Sequence, residues 1–274
     1  MPEILVRMLK ETAIVVVLGM FSRLALGEEF DFESPSLDNF TFARIEFDSV
    51  GGWGEAYYGG RRGRRTARWQ TDYPEADENF AYRLRQLTQL RPHAGAHTYR
   101  LSDPKLFDFP LIYMVDPGWM ELTADEKSAL REYLLRGGML WVDDFWGDGE
   151  WANFERVMRD VLPEYSWREI PGDHPIFHMV FDFDALPYVP ASWFARRWEA
   201  GEPPRIHRYP QGDLTHPELR GYFDQQARLM VVADHNTDLG DGWEREAYGQ
   251  WYFENFSSKA YAMGVNIVIY AFTH

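Results

Sequence analysis

Short apolar runs, each closed by an acidic residue and separated by helical patterning, constrain this chain most. Residues 109–115 and 139–142 are continuously apolar and too brief for helices. Strands of that kind are buried on both faces, as in parallel sheets. Residues 40–48 alternate apolar and polar side chains at a strand's period of two, and 228–233 give a further strand. Between them lie helical segments. In 76–90, Phe80, Leu84, Leu87 and Leu90 share a face. In 123–136, Thr123 and Glu126 form a capping box, and Gly137-Gly138 end the helix. Trp151, Phe154, Val157, Met158 and Val161 line one side of 150–162, which Pro163 stops, and 256–273 form a closing helix. Strand–helix alternation predicts one α/β domain over residues 40–274, a mostly parallel sheet with helices on both faces.

The chain of 274 residues carries 43 Asp and Glu against 28 Lys and Arg, a net charge of −15, which argues against nucleic acid as a partner. The absence of cysteine removes disulfides, thiolate metal sites and any Cys nucleophile. Residues 1–27 read as a signal peptide: Arg7 and Lys10, an apolar core over 13–21, then Ala25-Leu26-Gly27 before the cleavage point. The expected location is periplasmic or secreted, with no stable membrane span once the signal is removed. Residues 28–39 read as a polar tether. A glycine-rich loop follows the first strand and carries an arginine cluster at 61–65, read as a solvated loop. Residues 173–216, rich in Pro and aromatic side chains, read as an insertion or lid.

In open α/β sheets, function collects at the carboxyl ends of the strands. Each predicted strand ends in acid: Asp48, Asp116, Asp143 with Asp144, and Asp234 with His235. Converging there, these groups would bind a hard cation or serve as an acid/base pair; dispersed, they would cap helices and turns. Asp143, Asp144 and His174 are therefore the candidate catalytic residues. Asp48, Asp116, Asp234, His235, Asp238 and Trp243 are the candidate ligand-binding residues. His174 and His178 have the i, i+4 spacing of a zinc helix. Pro175 disfavours helical geometry at His174, however, and no Glu stands between the ligands. A loop carrying His174 into the crevice and a structural turn both remain open. Residues 234–244 are dense in oxygen ligands but lack the glycine and glutamate spacing of an EF-hand, and read as a turn-rich active loop. Neither GxGxxG after a strand nor GxSxG occurs.

Several segments occur in an order that resembles a bacterial family, domain of unknown function 4159. They are Phe42-Ala43-Arg44-Ile45, residues 109–114, Leu134-Leu135-Arg136-Gly137-Gly138-Met139-Leu140-Trp141-Val142-Asp143-Asp144, Asp173-His174-Pro175-Ile176-Phe177-His178, Asp238-Leu239-Gly240, Trp243-Glu244 and Gly264-Val265-Asn266-Ile267-Val268. The resemblance implies a flavodoxin-like, doubly wound sheet of the class I glutamine amidotransferase-like and trehalose-utilisation-like kind, in proteins exported or tethered to the membrane. It carries over no catalytic residues. In amidotransferases a Cys nucleophile occupies a sharp strand-to-helix turn; the matching turn here is Val142-Asp143-Asp144-Phe145, and a carboxylate there cannot perform thiolate chemistry.

Two functions fit these observations. One is a binding module of the cell envelope, its 11 Trp and 15 Tyr suited to contacting a protein partner or a small polar ligand. The other is a carboxylate- or metal-assisted hydrolase of a polar, carbohydrate-like substrate, with Asp143 and Asp144 opposed by His174 and Asp116. Beyond a divalent cation, no cofactor is expected.

Overall fold

A computed structural model describes residues 40–50, 67–200 and 216–274. The expected signal peptide and tether, the arginine cluster at 61–65 and residues 201–215 of the insertion lie outside the described residues.

The sheet strands are β1 (Ala43–Glu46), β3 (His97–Arg100), β4 (Leu111–Val115), β6 (Met139–Phe145), β7 (Trp167–Glu169), β8 (Glu218–Phe223) and β9 (Leu229–His235), in the spatial order β3-β1-β4-β6-β9-β8-β7. A separate two-stranded pair joins β2 (Asp48–Ser49) to β5 (Met120–Glu121). The first five strands of the sheet are parallel; β8 and β7 extend it antiparallel. The expectation of a mostly parallel sheet thus holds, with the antiparallel pairing confined to one edge. There β7 is half-buried to exposed and β8 alternates buried with half-buried residues, so neither carries a continuous apolar signal.

Alternation along the strands builds a three-layer core. Leu111, Tyr113 and Val115 of β4, with Met139 and Trp141 of β6, face one layer. Ile112, Met114, Leu140 and Val142 face the other. The first layer is α1 (Glu75–Leu87), α5 (Leu239–Glu244) and α7 (Ser258–Thr273), through Phe80, Leu84, Trp243 and Val265. α2 (Ala124–Leu135) and α3 (Gly147–Val161) form the second, through Leu130, Leu134, Phe154 and Val157. α4 (Ser192–Glu199) and α6 (Gln250–Tyr252) complete the helices, and a π-helical turn, Phe253–Ser257, joins α6 to α7. Thr123 and Glu126 make the reciprocal contacts of the capping box, and Gly137 follows α2 at φ +116°. On α1, Phe80 and Leu84 are buried, but the helix ends at Leu87, whose side chain is exposed. Among the described residues, no helix is long and apolar enough to cross a membrane.

Candidate functional site

The chain crosses from β1 to β3 on one side of the sheet and then to β4 on the other, so the strand order reverses between β1 and β4. Ligands of open α/β sheets bind beyond the carboxyl ends at such a switch point. Asp72, in the β1-to-α1 segment, Asp116 after β4, Asp144 in β6 and Asn236 after β9 all have left-handed backbones, with φ of 60°, 54°, 56° and 63°. At Asp144 this conformation coincides with a break in the β6–β9 register between Val142 and Phe145. Non-glycine residues in this region cost of order 1–3 kcal/mol each and collect at functional sites.

Arg44 fixes the first of these loops. Buried within β1, its guanidinium holds Asp77 (Nη2–Oδ2 2.5 Å) and donates to the carbonyls of Trp69 (3.1 Å) and Thr71 (2.7 Å). That clamp sets the backbone on either side of Trp69–Thr71 and so delivers Asp72. Asp116 accepts from the Thr71 hydroxyl (2.8 Å) and pairs with Arg68 (3.4 Å), tying the same loop to the end of β4.

Carboxyl oxygens of Asp72, Asp144 and Asp238 lie within 4.8 Å of one another, and so do those of Asp72, Asp241 and Glu244. Glu244 Oε2 is buried without a hydrogen-bond donor, and the Glu244 carboxyl lies in hydrogen-bond reach of that of Asp72. Oδ2 of Asp72 likewise meets no donor among the described residues. It is one of three oxygens around the face of Gly240, where a Cβ would stand 2.9 Å from it, 3.2 Å from the Tyr113 hydroxyl and 3.5 Å from Asp238 Oδ1. A larger residue at 240 would fill this hollow. Burial, then the charges of Asp241, Glu244 and Asp144, push the Asp72 carboxyl well above the usual range. Asp144 rises through burial and the charge of Asp116, and Asp238 through burial and Asp144. Glu244 is pushed up to about 7, chiefly by burial. Such groups need protons or a cation to coexist. Oxygens on opposite sides of a Ca²⁺ ion stand about 4.6–5.2 Å apart, so this spacing accommodates one hard cation.

Of the residues singled out in the sequence, Asp144 and Asp238 meet in this cluster. Asp238 also caps α5, accepting from the Asp241 amide (2.7 Å), so the stretch expected as a turn-rich loop is a short helix. Asp143 lies beneath. It accepts from the amides of Leu239 (3.1 Å) and Gly240 (2.8 Å) and from the Tyr113 hydroxyl (3.0 Å), which hold α5 against β6. Burial still raises Asp143 to about 6. Asp116 stands at the rim, its charge acting on Asp144.

The other selected residues stand apart. Asp234 accepts from the Trp141 indole (2.6 Å) in the sheet interior. His235 packs against the rings of Phe145 and Trp151 in the α2–α3 layer, and burial lowers it to about 4. Trp243 is wholly buried and stacked on Phe80 at 4.3 Å, a core residue. Asp48 is exposed and paired with Arg100 (2.9 Å). His174 lies at the opposite end of the sheet, packed against Tyr270 and against Phe223, which pairs with the first residue of β9; its Nδ1 accepts from the Ile176 amide (3.2 Å). His178 bonds to Gly172 and Asp182. Asp72, Asp241 and Glu244, and the basic residues Arg44 and Arg245, escaped selection by residue pattern. The Asp238 cap was the one readable sign that 239–244 is a helix, whose turn brings Asp241 and Glu244 to one side.

A three-layer α/β protein with a buried carboxylate cluster at its topological switch point is the class these features define. The chain belongs to the family described as domain of unknown function (DUF4159), which matches residues 56–272. No curated protein matches it.

Proposed function

We propose that the chain is an exported, non-catalytic binding domain of the bacterial cell envelope, built on an amidotransferase-like sheet. Its carboxylate hollow takes a divalent cation and, through it, a polar ligand or a partner's polar group. Five parallel strands in the order β3-β1-β4-β6-β9 correspond to the 2-1-3-4-5 order of flavodoxin-like sheets, which supports the fold reading. The observation that carries the functional reading is the convergence of Asp72, Asp144 and Asp238, with a buried Asp72 oxygen that meets no hydrogen-bond donor among the described residues.

One observation weighs against the hydrolase alternative. His174, which that reading sets opposite Asp143 and Asp144, is at the far end of the sheet.

Thermal melts of the full chain with Ca²⁺, Mg²⁺, Mn²⁺ or Zn²⁺ test the reading. A cation at a hundredfold excess over its Kd stabilises by about 2.7 kcal/mol, and Asp144→Asn should abolish the shift. No shift with any of the four would overturn it.

A further inference from the structure

The two overlapping triads share Asp72, but their charge balance differs. Arg245 makes its ion pairs in only one of them, although its charge also acts on the shared Asp72. Its Nε lies 3.3 Å from Asp241 Oδ1 and its Nη2 2.5 Å from Glu244 Oε2. Within the other triad, Asp144 accepts from the Trp146 indole (2.7 Å) and Asp238 from the Asp241 amide (2.7 Å), both neutral donors. The buried Asp72 Oδ2 faces Gly240 and Asp238 and meets no hydrogen-bond donor among the described residues; Glu244 Oε2 meets none either but has the Arg245 guanidinium beside it. A guanidinium is a fixed, always-charged ion that matches carboxylates with two donors. A hard cation entering beside it would meet like-charge repulsion at low dielectric.

We propose that Arg245 is the resident cation of the Asp72–Asp241–Glu244 triad and so limits the hollow to a single external divalent cation, held by Asp72, Asp144 and Asp238. Arg245 is thus a specificity-determining residue. It converts an arrangement that could hold two bridged metals, the pattern of two-metal hydrolases, into a one-cation binding site. This rests on the cation-binding reading above and adds to it the stoichiometry and the choice of triad.

Calorimetric titration of the full chain with CaCl₂ tests both. Wild type should bind one Ca²⁺ per chain. Arg245→Gln should bind two, the second weaker. Glu244→Gln should still bind one, because its carboxyl belongs to Arg245, whereas Asp238→Asn should lose binding at least tenfold. One Ca²⁺ in folded Arg245→Gln, two in wild type, or loss of binding in Glu244→Gln would each overturn the assignment while leaving cation binding intact. Should Arg245→Gln not fold, Glu244→Gln against Asp238→Asn still decides which triad holds the ion. No binding in wild type would instead overturn the underlying reading.

Discussion

Most acidic proteins gain stability as their carboxylates ionise on leaving acid; this one should lose it between pH 5 and pH 8 in the absence of divalent cations. Burial and neighbouring charge raise Glu150 from 4.5 to about 8 and Asp143 from 3.8 to about 6, and push Asp72, Asp144, Asp234 and Asp238 upward as well. The folded state therefore binds more protons than the unfolded one, and stability falls as pH rises through this window. At 1.36 kcal/mol per pKa unit, Glu150 alone contributes a fall of about 3 kcal/mol from pH 5 to 8, and Asp143 about 1 kcal/mol more. His235, lowered to about 4, opposes them, since its cost is relieved as pH rises toward 6.5; that returns about 2 kcal/mol. The lowered Asp160 and Glu164 lose their contribution only below this range. These three groups leave a net fall of about 2 kcal/mol, or a melting temperature about 4–8 °C lower at pH 8 than at pH 5; the four other aspartates and Glu244, raised to about 7, deepen it. Calorimetric melts in EDTA at pH 5, 6, 7 and 8 measure it directly. Glu150→Gln should flatten the slope by about 3 kcal/mol, and saturating Ca²⁺ should remove much of the remainder by holding the hollow ionised. A melting temperature that is flat or rises across the window in EDTA would refute the reasoning.

Other perturbations separate the site from its scaffold. Gly240→Ala places a methyl 2.9 Å from Asp72 Oδ2 and should cut Ca²⁺ affinity at least tenfold in calorimetry while the fold persists, because the backbone there is helical. Asp77→Asn leaves the buried Arg44 guanidinium without its counter-charge and should destabilise by about 3–5 kcal/mol, read from the urea midpoint. Phe80→Ala removes the ring stacked on Trp243 and should cost about 3–5 kcal/mol in the same assay. His174→Ala should leave Ca²⁺ affinity unchanged, since the ring sits at the opposite end of the sheet.

The buried centre of the sheet was readable because β4 and the Met139–Val142 part of β6 are packed on both faces and are apolar throughout. The antiparallel edge was not, since Trp167–Glu169 and Glu218–Phe223 mix charge with aromatic residues, and Arg220 lies across the Trp151 and Trp167 rings at 4.1 and 4.4 Å. Strand-end acids pointed to the right end of the molecule but not to the right membership. Asp48 and Asp234 follow the same rule as Asp144 yet answer to Arg100 and Trp141. Asp72 follows no strand directly, and a buried arginine 28 positions earlier brings it in, a long-range contact with no local signature. Trp243 drew attention as a contact residue because it neighbours acids in sequence; on α5 it turns inward while Asp241 and Glu244 turn to the cluster.

Anomalous diffraction from a Mn²⁺-soaked crystal is the most direct examination of the carboxylate hollow. A single peak within coordination distance of Asp72, Asp144 and Asp238, absent from Asp144→Asn crystals, is the expected result. No peak there, or one held by other residues and unchanged in the variant, would contradict the account.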